Sequence, residues 1–403
     1  MTHRSYALAA LALTGLVGFF ACTSDSAEPA PTGAPDASDV DAATASDGGG
    51  DAASADVTTT PLDAADADAD AGVIDPWNPP LDVPAVGVST FDGWETPRLL
   101  PPPVNMDGGW TDSVMITADA RRLLFAYSTF DFGIVATTGK FVTTAPRRPS
   151  MTVDDFRIFQ ADLAPDRWDV SYHPVNSNDP NLSEASASLN AAQDLLVFSR
   201  WAHDAGFTAD LFFSSRTSTG WSTPTPLAIN TACNDDNAFV VGSLATGLTL
   251  YFESDRADDA GTTCGSKKHL FVTKYSGGTF GPVTRAPGLN GADANDEDFQ
   301  PFVSPDERTA YWTAIRTSPP FYGIFTADRA SPNDPFGTPR PVLAVTTFAP
   351  PFAGRVIFLG EANVAWVPEG QIMTLMCGTA RADDDAGKPA SSHLDICYTR
   401  RPK

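Results

Sequence analysis

The chain has 403 residues and a formal net charge of −24, with 50 acidic residues against 26 Lys and Arg. A chain this acidic repels the phosphate backbone of DNA and RNA, so we exclude nucleic acid as a partner. The apolar runs are shorter than the roughly 20 residues that a membrane-spanning helix needs, so the mature chain is not expected to cross a membrane.

The first 21 residues have the layout of a secretion signal, because Arg4 precedes an apolar stretch over residues 6–21. The segment from Gly18 to Cys22, GFFAC, resembles the lipobox of bacterial lipoproteins, in which a small residue precedes the acylated cysteine. The resemblance implies an exported protein that is lipid-anchored to the cell envelope through Cys22, and Thr23 favours the outer membrane. The alternative is an ordinary signal peptide in which Cys22 is incidental.

From Cys22 to residue 87 the sequence is typical of a tether. Residues 23–80 contain 13 acidic residues and no Lys or Arg, and consist mainly of Ala, Asp, Ser, Thr, Gly and Pro. Such a segment buries too little apolar surface to offset its ordering entropy, so we predict disorder. The run DADADAG over residues 66–72 suggests a calcium loop. Its Gly comes one place late for an EF-hand and no Glu completes it, which favours a plain spacer.

From residue 88 onwards, short apolar and aromatic runs alternate with Asn, Asp, Gly and Pro, which is typical of an all-β domain. One strand pattern recurs five times, and its copies begin at Leu123, Leu195, Leu248, Thr309 and Gln371. The fifth unit lacks the further strand of the others, and the segment Asp92 to Pro97, which matches residues 220–224, supplies it. We therefore predict that residues 88–403 form a five-bladed β-propeller closed by an N-terminal strand, with six blades as the alternative.

Two segments carry a family resemblance. Residues 301–306, PFVSPD, and residues 250–256, LYFESDR, resemble the SPDG and L-x-F-x-S-x-R repeat of WD40-like, TolB-type propellers. The resemblance touches all five units, with the full motif split between copies. It implies the propeller fold and says little about activity.

Four cysteines remain after Cys22, and an even number in an exported protein indicates disulfides, with three pairings open in principle. In a propeller blade, the loops that contain Cys233 and Cys264 lie on the same face, while Cys377 and Cys397 lie on paired neighbouring strands. The blade assignment therefore predicts the pairs Cys233–Cys264 and Cys377–Cys397. Because the sequence has no CxxC pair, we expect no metal site at these thiols.

The same face of the predicted propeller collects acidic and aromatic side chains around the channel. The candidate ligand-binding residues are Asp112, Glu184, Asp236, Asp298, Glu361, Trp201 and Tyr322. Three roles are open for these residues. They act as turn formers and caps, or they bind a ligand such as a sugar or a hard cation. In the third, two of the carboxyl groups form a catalytic pair that hydrolyses glycosides. Glu184, Asp298 and Asp112 are the candidates for such a pair. Hydrolysis is the least favoured, because a catalytic pair should differ from its neighbours whereas these acids recur with the repeat.

Other enzyme signatures are absent from the sequence, which contains no G-x-S-x-G, P-loop or H-E-x-x-H motif. No catalytic residue is assigned and no cofactor is implied, with Ca²⁺ as the one candidate ion. The sequence therefore favours a monomeric propeller on a membrane-anchored lipoprotein that acts as a non-enzymatic binding platform for a protein or an envelope glycan. A propeller glycoside hydrolase with central carboxylates is the alternative.

Overall fold

The computed structural model describes residue 77 and residues 88–403, except for 107, 133, 136–139, 166, 203–207, 346–354 and 381–391. The signal peptide, Cys22 and the predicted tether apart from Trp77 lie outside the described residues. Within the described part of the chain, no helix combines the length and the apolar character that crossing a membrane requires.

The described residues form 23 β-strands, of which two short ones precede the blades: β1 (Ser89–Thr90) and β2 (Arg98–Leu99). Blade 1 contains β3 (Trp110–Ile116), β4 (Arg122–Ser128), β5 (Arg157–Leu163) and β6 (Trp168–Tyr172). Blade 2 contains β7 (Leu182–Leu189), β8 (Leu195–Ala202), β9 (Asp210–Thr217), β10 (Gly220–Trp221) and β11 (Thr225–Pro226). Blade 3 contains β12 (Asp235–Ser243), β13 (Gly247–Arg256), β14 (Cys264–Ser276), β15 (Thr279–Phe280) and β16 (Thr284–Arg285). Blade 4 contains β17 (Glu297–Val303), β18 (Thr309–Ile315), β19 (Tyr322–Asp328) and β20 (Arg340–Ala344). Blade 5 contains β21 (Arg355–Val367), β22 (Gly370–Ala380) and β23 (Ser392–Pro402).

The innermost strands of the five blades surround one channel. In chain order β3 contacts β7, β7 contacts β12, β12 contacts β17, β17 contacts β21, and β21 contacts β3 again. The ring is therefore closed with five blades, which confirms the predicted five-bladed propeller and excludes six blades.

The N-terminal segment supplies the outer strand of the last blade. β2 pairs antiparallel with β23, where Arg98 faces Tyr398. The backbone N–H of Glu95 donates to the carbonyl of Arg400 over 2.8 Å. β1 pairs with β20 of blade 4, so the same segment spans two blades. The predicted closing strand is thus confirmed, and its ladder lies just after the Asp92 to Pro97 segment that indicated it.

Trp77 is buried at the outer seam between blades 1 and 5. Its ring centroid lies 5.3 Å from that of Trp168 and 5.4 Å from that of Tyr398, in edge-to-face contacts. The guanidinium of Arg400 donates to the Trp77 carbonyl over 3.5 Å. The chain therefore contacts the propeller well before the predicted boundary at residue 88.

An aromatic pair between the second and third strands forms the core of blades 1 to 4. The ring centroids are 5.9 to 6.3 Å apart in the pairs Phe125–Phe159, Phe198–Phe212, Phe252–Phe271 and Trp312–Phe325. In each blade an arginine guanidinium covers one of these rings at 5.1 to 5.3 Å, namely Arg148, Arg200, Arg256 and Arg316. In blade 5 the position is taken by Leu375 beside Cys397, which is bonded to Cys377. A second disulfide joins Cys233 to Cys264 in blade 3.

Candidate active site at the channel mouth

The innermost strand of every blade is interrupted by a β-bulge at the corresponding position. At each bulge one residue has a φ between +47° and +57°, and these residues are Ser113, Ser186, Asn237, Gln300 and Glu361. Positive φ is uncommon for residues other than glycine, and a bulge re-aims the neighbouring side chains. All five residues line the channel, so the bulges bring polar groups from five blades to one place.

In three blades, an acid lies two positions before the positive-φ residue of the bulge, and these acids are structural. Glu184, Asp235 and Asp298 occupy this position, and their side chains are fully buried. Each pairs with an arginine in, or directly after, the second strand of its own blade: Glu184 with Arg200 at 2.9 Å, Asp235 with Arg256 at 2.5 Å, and Asp298 with Arg316. Burial raises the pKa of Glu184 and of Asp298, and the paired arginines oppose that rise. In blades 2 to 4 these acids therefore neutralise the arginines that cover the blade cores.

The acids at the channel mouth differ from blade to blade. Asp112 and Asp236 directly precede the bulge, where the other blades have Ala185, Phe299 and Gly360. Glu361 is itself the bulge residue of blade 5. Relative to the bulge, Glu361 therefore lies two positions further along its strand than Glu184 and Asp298 do along theirs. Only the arginine-paired acids recur with the repeat, so their recurrence does not argue against a catalytic role for the acids at the mouth.

Asp112 and Glu361 form a carboxyl pair that has no cationic partner among the described residues. The indole N–H of Trp110 donates to Asp112 Oδ2 over 2.9 Å, and the Ser113 N–H donates to Oδ1 over 2.7 Å. The Oε1 atom of Glu361 accepts from the Ser113 hydroxyl and from the Gln300 amide, each over 3.2 Å. The two carboxyl groups are close enough that the charge of Asp112 raises the pKa of Glu361.

Burial raises the pKa of Asp112 to about 7, and the neighbouring charge of Asp236 adds to the rise. Burial also raises the pKa of Glu361 well above its usual value, together with the charges of Asp112 and Asp236. Two carboxyl groups this close in a buried site cannot both ionise without a large repulsion. The pair therefore holds one shared proton near neutral pH, and its titration belongs to both residues.

Glu253 is a fourth acid of the mouth, and it was not among the residues predicted from the sequence. It faces Asp236 across the β12–β13 ladder, and its carboxylate binds the Lys268 ammonium. Its Oε2 atom accepts from the Gln300 N–H over 2.9 Å. Glu253 lies inside the LYFESDR segment, and it was not selected as a site residue because that segment was interpreted as a copy of the repeat. The corresponding positions in the other blades are Ala126, Ser199, Thr313 and Met376, so the signal was the one acid among five equivalent residues.

These acids line a cavity of about 160 Å³ that has an aromatic wall on one side. The wall consists of Trp110, Phe132, Phe156, Trp201 and Phe358. The Trp110 ring lies 5.0 Å from Phe132 and 4.8 Å from Phe156, so the rings are in continuous contact. An aromatic surface opposite a few convergent polar groups is the usual composition of a small-molecule site.

The structure brings four of the seven predicted ligand-binding residues to this cavity: Asp112, Asp236, Glu361 and Trp201. Glu184 and Asp298 lie behind it in their arginine pairs. Tyr322 is buried in blade 4, where its hydroxyl bonds the backbone carbonyl of Leu359 and accepts from the Leu359 N–H over 3.1 Å. Among the described residues, a cluster with metal-ligand spacing occurs at Cys233, Asp255 and Cys264, but both sulfurs are consumed in the disulfide.

No protein-family model matches the chain, and no curated protein matches it either. Several solved structures resemble its fold. The β-xylosidase RS223 has a TM-score of 0.46 and 12% identity over 75% of this chain and 94% of its own. A thermostable family-43 glycoside hydrolase has a TM-score of 0.42 and 13% identity over 73% and 91%. The α-L-arabinofuranosidase PaAbf62A from Podospora anserina has a TM-score of 0.41 and 10% identity over 80% and 99%.

These similar structures are glycoside hydrolases with five-bladed propellers, so the resemblance to WD40-like, TolB-type repeat proteins is wrong. The interpretation as a non-enzymatic binding platform is corrected with it. The physical reason for the error is that the quoted segments are turns and blade strands, and such strands recur in any propeller whatever its activity. At identities of 10 to 13% the likeness shows the fold alone.

Proposed function

We propose that the chain is a glycoside hydrolase whose active site is the cavity at the channel mouth. The observation that carries the proposal is the buried Asp112–Glu361 carboxyl pair at an aromatic-walled cavity, where burial raises the pKa of both groups. A carboxyl group kept protonated next to a second, ionised carboxylate is the arrangement that glycosidic bond cleavage requires.

In this proposal the Asp112–Glu361 pair supplies the proton that the leaving oxygen takes as the glycosidic bond breaks. Asp236 supplies the carboxylate, either as a base for water or as the nucleophile. Its Oδ1 accepts from the Asn237 N–H over 2.7 Å, which fixes the carboxylate at the cavity wall. Glu253 pairs with Lys268 and accepts from the Gln300 N–H, so we assign it a positioning role.

The cavity favours an uncharged sugar. The aromatic wall supports stacking of the apolar face of a sugar ring, and the acids that line the same cavity accept hydrogen bonds from hydroxyl groups. Asp112, Asp236 and Glu361 together repel an anionic sugar such as a uronate, because Lys268 is already paired with Glu253. The substrate class is therefore a neutral glycan or glycoside.

The test is hydrolysis by the purified, lipid-free mature chain. We expect it to release reducing sugar from a panel of neutral polysaccharides, or nitrophenol from a panel of neutral furanosides and pyranosides. Uronate-rich glycans serve as the matched negative set. A folded preparation that cleaves none of the neutral panel contradicts the proposal.

The pH dependence of this activity follows from the acid pair. The pair must be protonated to act as the acid, and the pKa of Asp112 lies at about 7. We therefore expect kcat to fall as the pH rises above about 7. In the folded state Asp112 keeps its proton up to about pH 7, whereas in the unfolded chain it releases the proton near its ordinary pKa of 3.8. The free energy of unfolding therefore falls as the pH rises from about 4 to about 7. An activity that keeps rising well above pH 7 contradicts this assignment.

We further propose that the protein is exported and lipid-anchored to the cell envelope through Cys22. The lipobox-like segment before Cys22 supports this. Incorporation of a radiolabelled fatty acid should occur in the wild type and be lost in Cys22→Ser. Labelling that persists in the variant excludes this anchor.

A further inference from the structure

The connection between the second and third strands of blade 1, which we call the blade 1 insert, is the longest connection of its kind in the propeller. It leaves the blade at the mouth end, because Ser128 at the end of β4 pairs with Trp110, which lines the cavity at the channel mouth. The insert covers residues 129–156, whereas the corresponding connections of blades 2 to 5 cover residues 203–209, 257–263, 316–321 and 381–391.

The two arms of the insert are joined to each other by backbone hydrogen bonds. Phe130 and Thr143 form an antiparallel β-bridge. Next to the bridge, the Asp131 N–H donates to the carbonyl of Val142 over 3.0 Å. The Asp131 carboxylate in turn accepts from the Ile134 N–H over 2.9 Å. The side chains beside the bridge are therefore held in place without a ligand.

Aromatic side chains of the insert extend the wall of the mouth cavity towards solvent. Phe132 is buried in the wall, where its ring lies 5.0 Å from that of Trp110. Phe130 is partly buried and packs against the same aromatic cluster. The Phe141 ring lies 5.1 Å from that of Phe130, and Phe141 is 48% exposed, with Val142 beside it 39% exposed. The apolar surface therefore continues from the cavity to the exposed face of Phe141.

This continuity separates Phe141 from an ordinary exposed residue, because apolar residues scattered singly on a surface need no function. The size of the cavity points the same way. The mouth cavity measures about 160 Å³, whereas pockets that enclose most of a drug-sized ligand measure about 300–1,000 Å³. A glycan of several units therefore extends beyond the cavity and over the surface that surrounds it.

We propose that Phe141 forms a second sugar-binding position, where its ring stacks on one unit of a glycan chain whose reacting unit lies in the mouth cavity. The apolar face of a neutral sugar ring covers an aromatic ring in this way. The substrate is then a neutral oligosaccharide or polysaccharide, and not the glycoside of a small alcohol. The choice of a sugar as the ligand rests on the proposed function, and the position of Phe141 narrows the substrate class of the same site.

Binding of a length series tests the proposal without turnover. The probes are linear neutral oligosaccharides of xylose, arabinose, glucose or mannose with two to six units, titrated calorimetrically into Asp112→Asn protein, the parent for these measurements. We expect the affinity of the parent for at least one series to rise with length. Adding Phe141→Ala should weaken binding of the longest member by about 3–10-fold, the size of one stacked ring contact, and binding of the disaccharide by less.

Two further substitutions distinguish stacking from simple apolar contact. Phe141→Tyr keeps the flat ring and should bind the longest member as the parent does. Phe141→Leu keeps an apolar side chain without a flat ring and should resemble Phe141→Ala. Equal binding by Phe141→Ala and the parent at every length, or an equal loss at every length, overturns the role of Phe141.

Trp366→Ala is the matched control for an exposed aromatic side chain. Trp366 is 39% exposed and its ring stacks on Phe302 at 6.0 Å, but it does not line the mouth cavity. It lies near the end of β21, beside the turn to β22. We expect this variant to bind every length as the parent does, and a loss equal to that of Phe141→Ala overturns the proposal.

Hydrolysis by the wild type separates this inference from the proposed function. A wild type that cleaves nitrophenyl glycosides, with a parent that binds no oligosaccharide more tightly than the disaccharide, contradicts the second position and leaves the hydrolase standing. Length-dependent binding that requires Phe141, in a protein that cleaves nothing, contradicts the hydrolase and leaves the binding position standing. A folded protein that neither binds nor cleaves overturns both.

Discussion

Asp112→Asn should reduce kcat on the best neutral substrate by about 10²–10⁴-fold, the range that one positioned proton donor contributes. The amide keeps the size of the side chain and accepts from either the Trp110 indole or the Ser113 N–H, but not from both, and it carries no transferable proton. It also removes the repulsion that raises the pKa of Glu361. Steady-state kinetics together with a circular dichroism spectrum separate lost chemistry from lost structure.

The control for Asp112→Asn is Asp169→Asn on the outer strand of blade 1. Asp169 pairs with Arg167 at 2.7 Å, and both side chains are more than half exposed, so this change should leave kcat within error of the wild type. If both variants keep the activity of the wild type, Asp112 has no catalytic role. An equal loss in both points to general damage to blade 1.

The blades could be predicted from the sequence because each blade is formed by one continuous stretch of the chain with its own strand pattern. Strand copies that begin at Leu123, Leu195, Leu248 and Thr309 each repeat an apolar pattern after a turn, and a propeller is the fold in which such units close on themselves. Closure by the N-terminal segment was predictable for the same reason, since one unit lacked a strand and a matching segment existed elsewhere.

The site was predicted less well because the role of each acid depends on partners that are distant in the sequence. Glu184 and Asp298 were candidate site residues, yet each pairs with an arginine 16 or 18 residues later along the chain. A pattern of spacings does not reveal which acids are neutralised by such partners. The bulge at each inner strand has the same effect, because a single residue of positive φ decides which neighbouring side chain faces the channel.

Arg256→Ala should lower the free energy of unfolding by about 3–5 kcal/mol, because it leaves a buried carboxylate without its cation. Arg256 and Asp235 are 1% and 0% exposed, and their contact is 2.5 Å. The guanidinium also covers the rings of Phe252 and Phe271, so the change removes packing in the core of blade 3. Denaturant unfolding followed by tryptophan fluorescence measures the loss.

The matched control is Arg340→Ala, whose ion pair with Asp92 at 2.9 Å lies at the surface, with side chains 42% and 37% exposed. An exposed pair contributes about 0–1 kcal/mol, so this variant should unfold close to the wild type. The double variant Arg256→Met with Asp235→Leu removes both charges and should recover part of the loss. The recovery is incomplete because Thr231 then loses its acceptor, Asp235 Oδ2. Equal destabilisation by Arg256→Ala and Arg340→Ala contradicts a structural role for the acids before the bulge, and would make Glu184 and Asp298 candidates for the active site again.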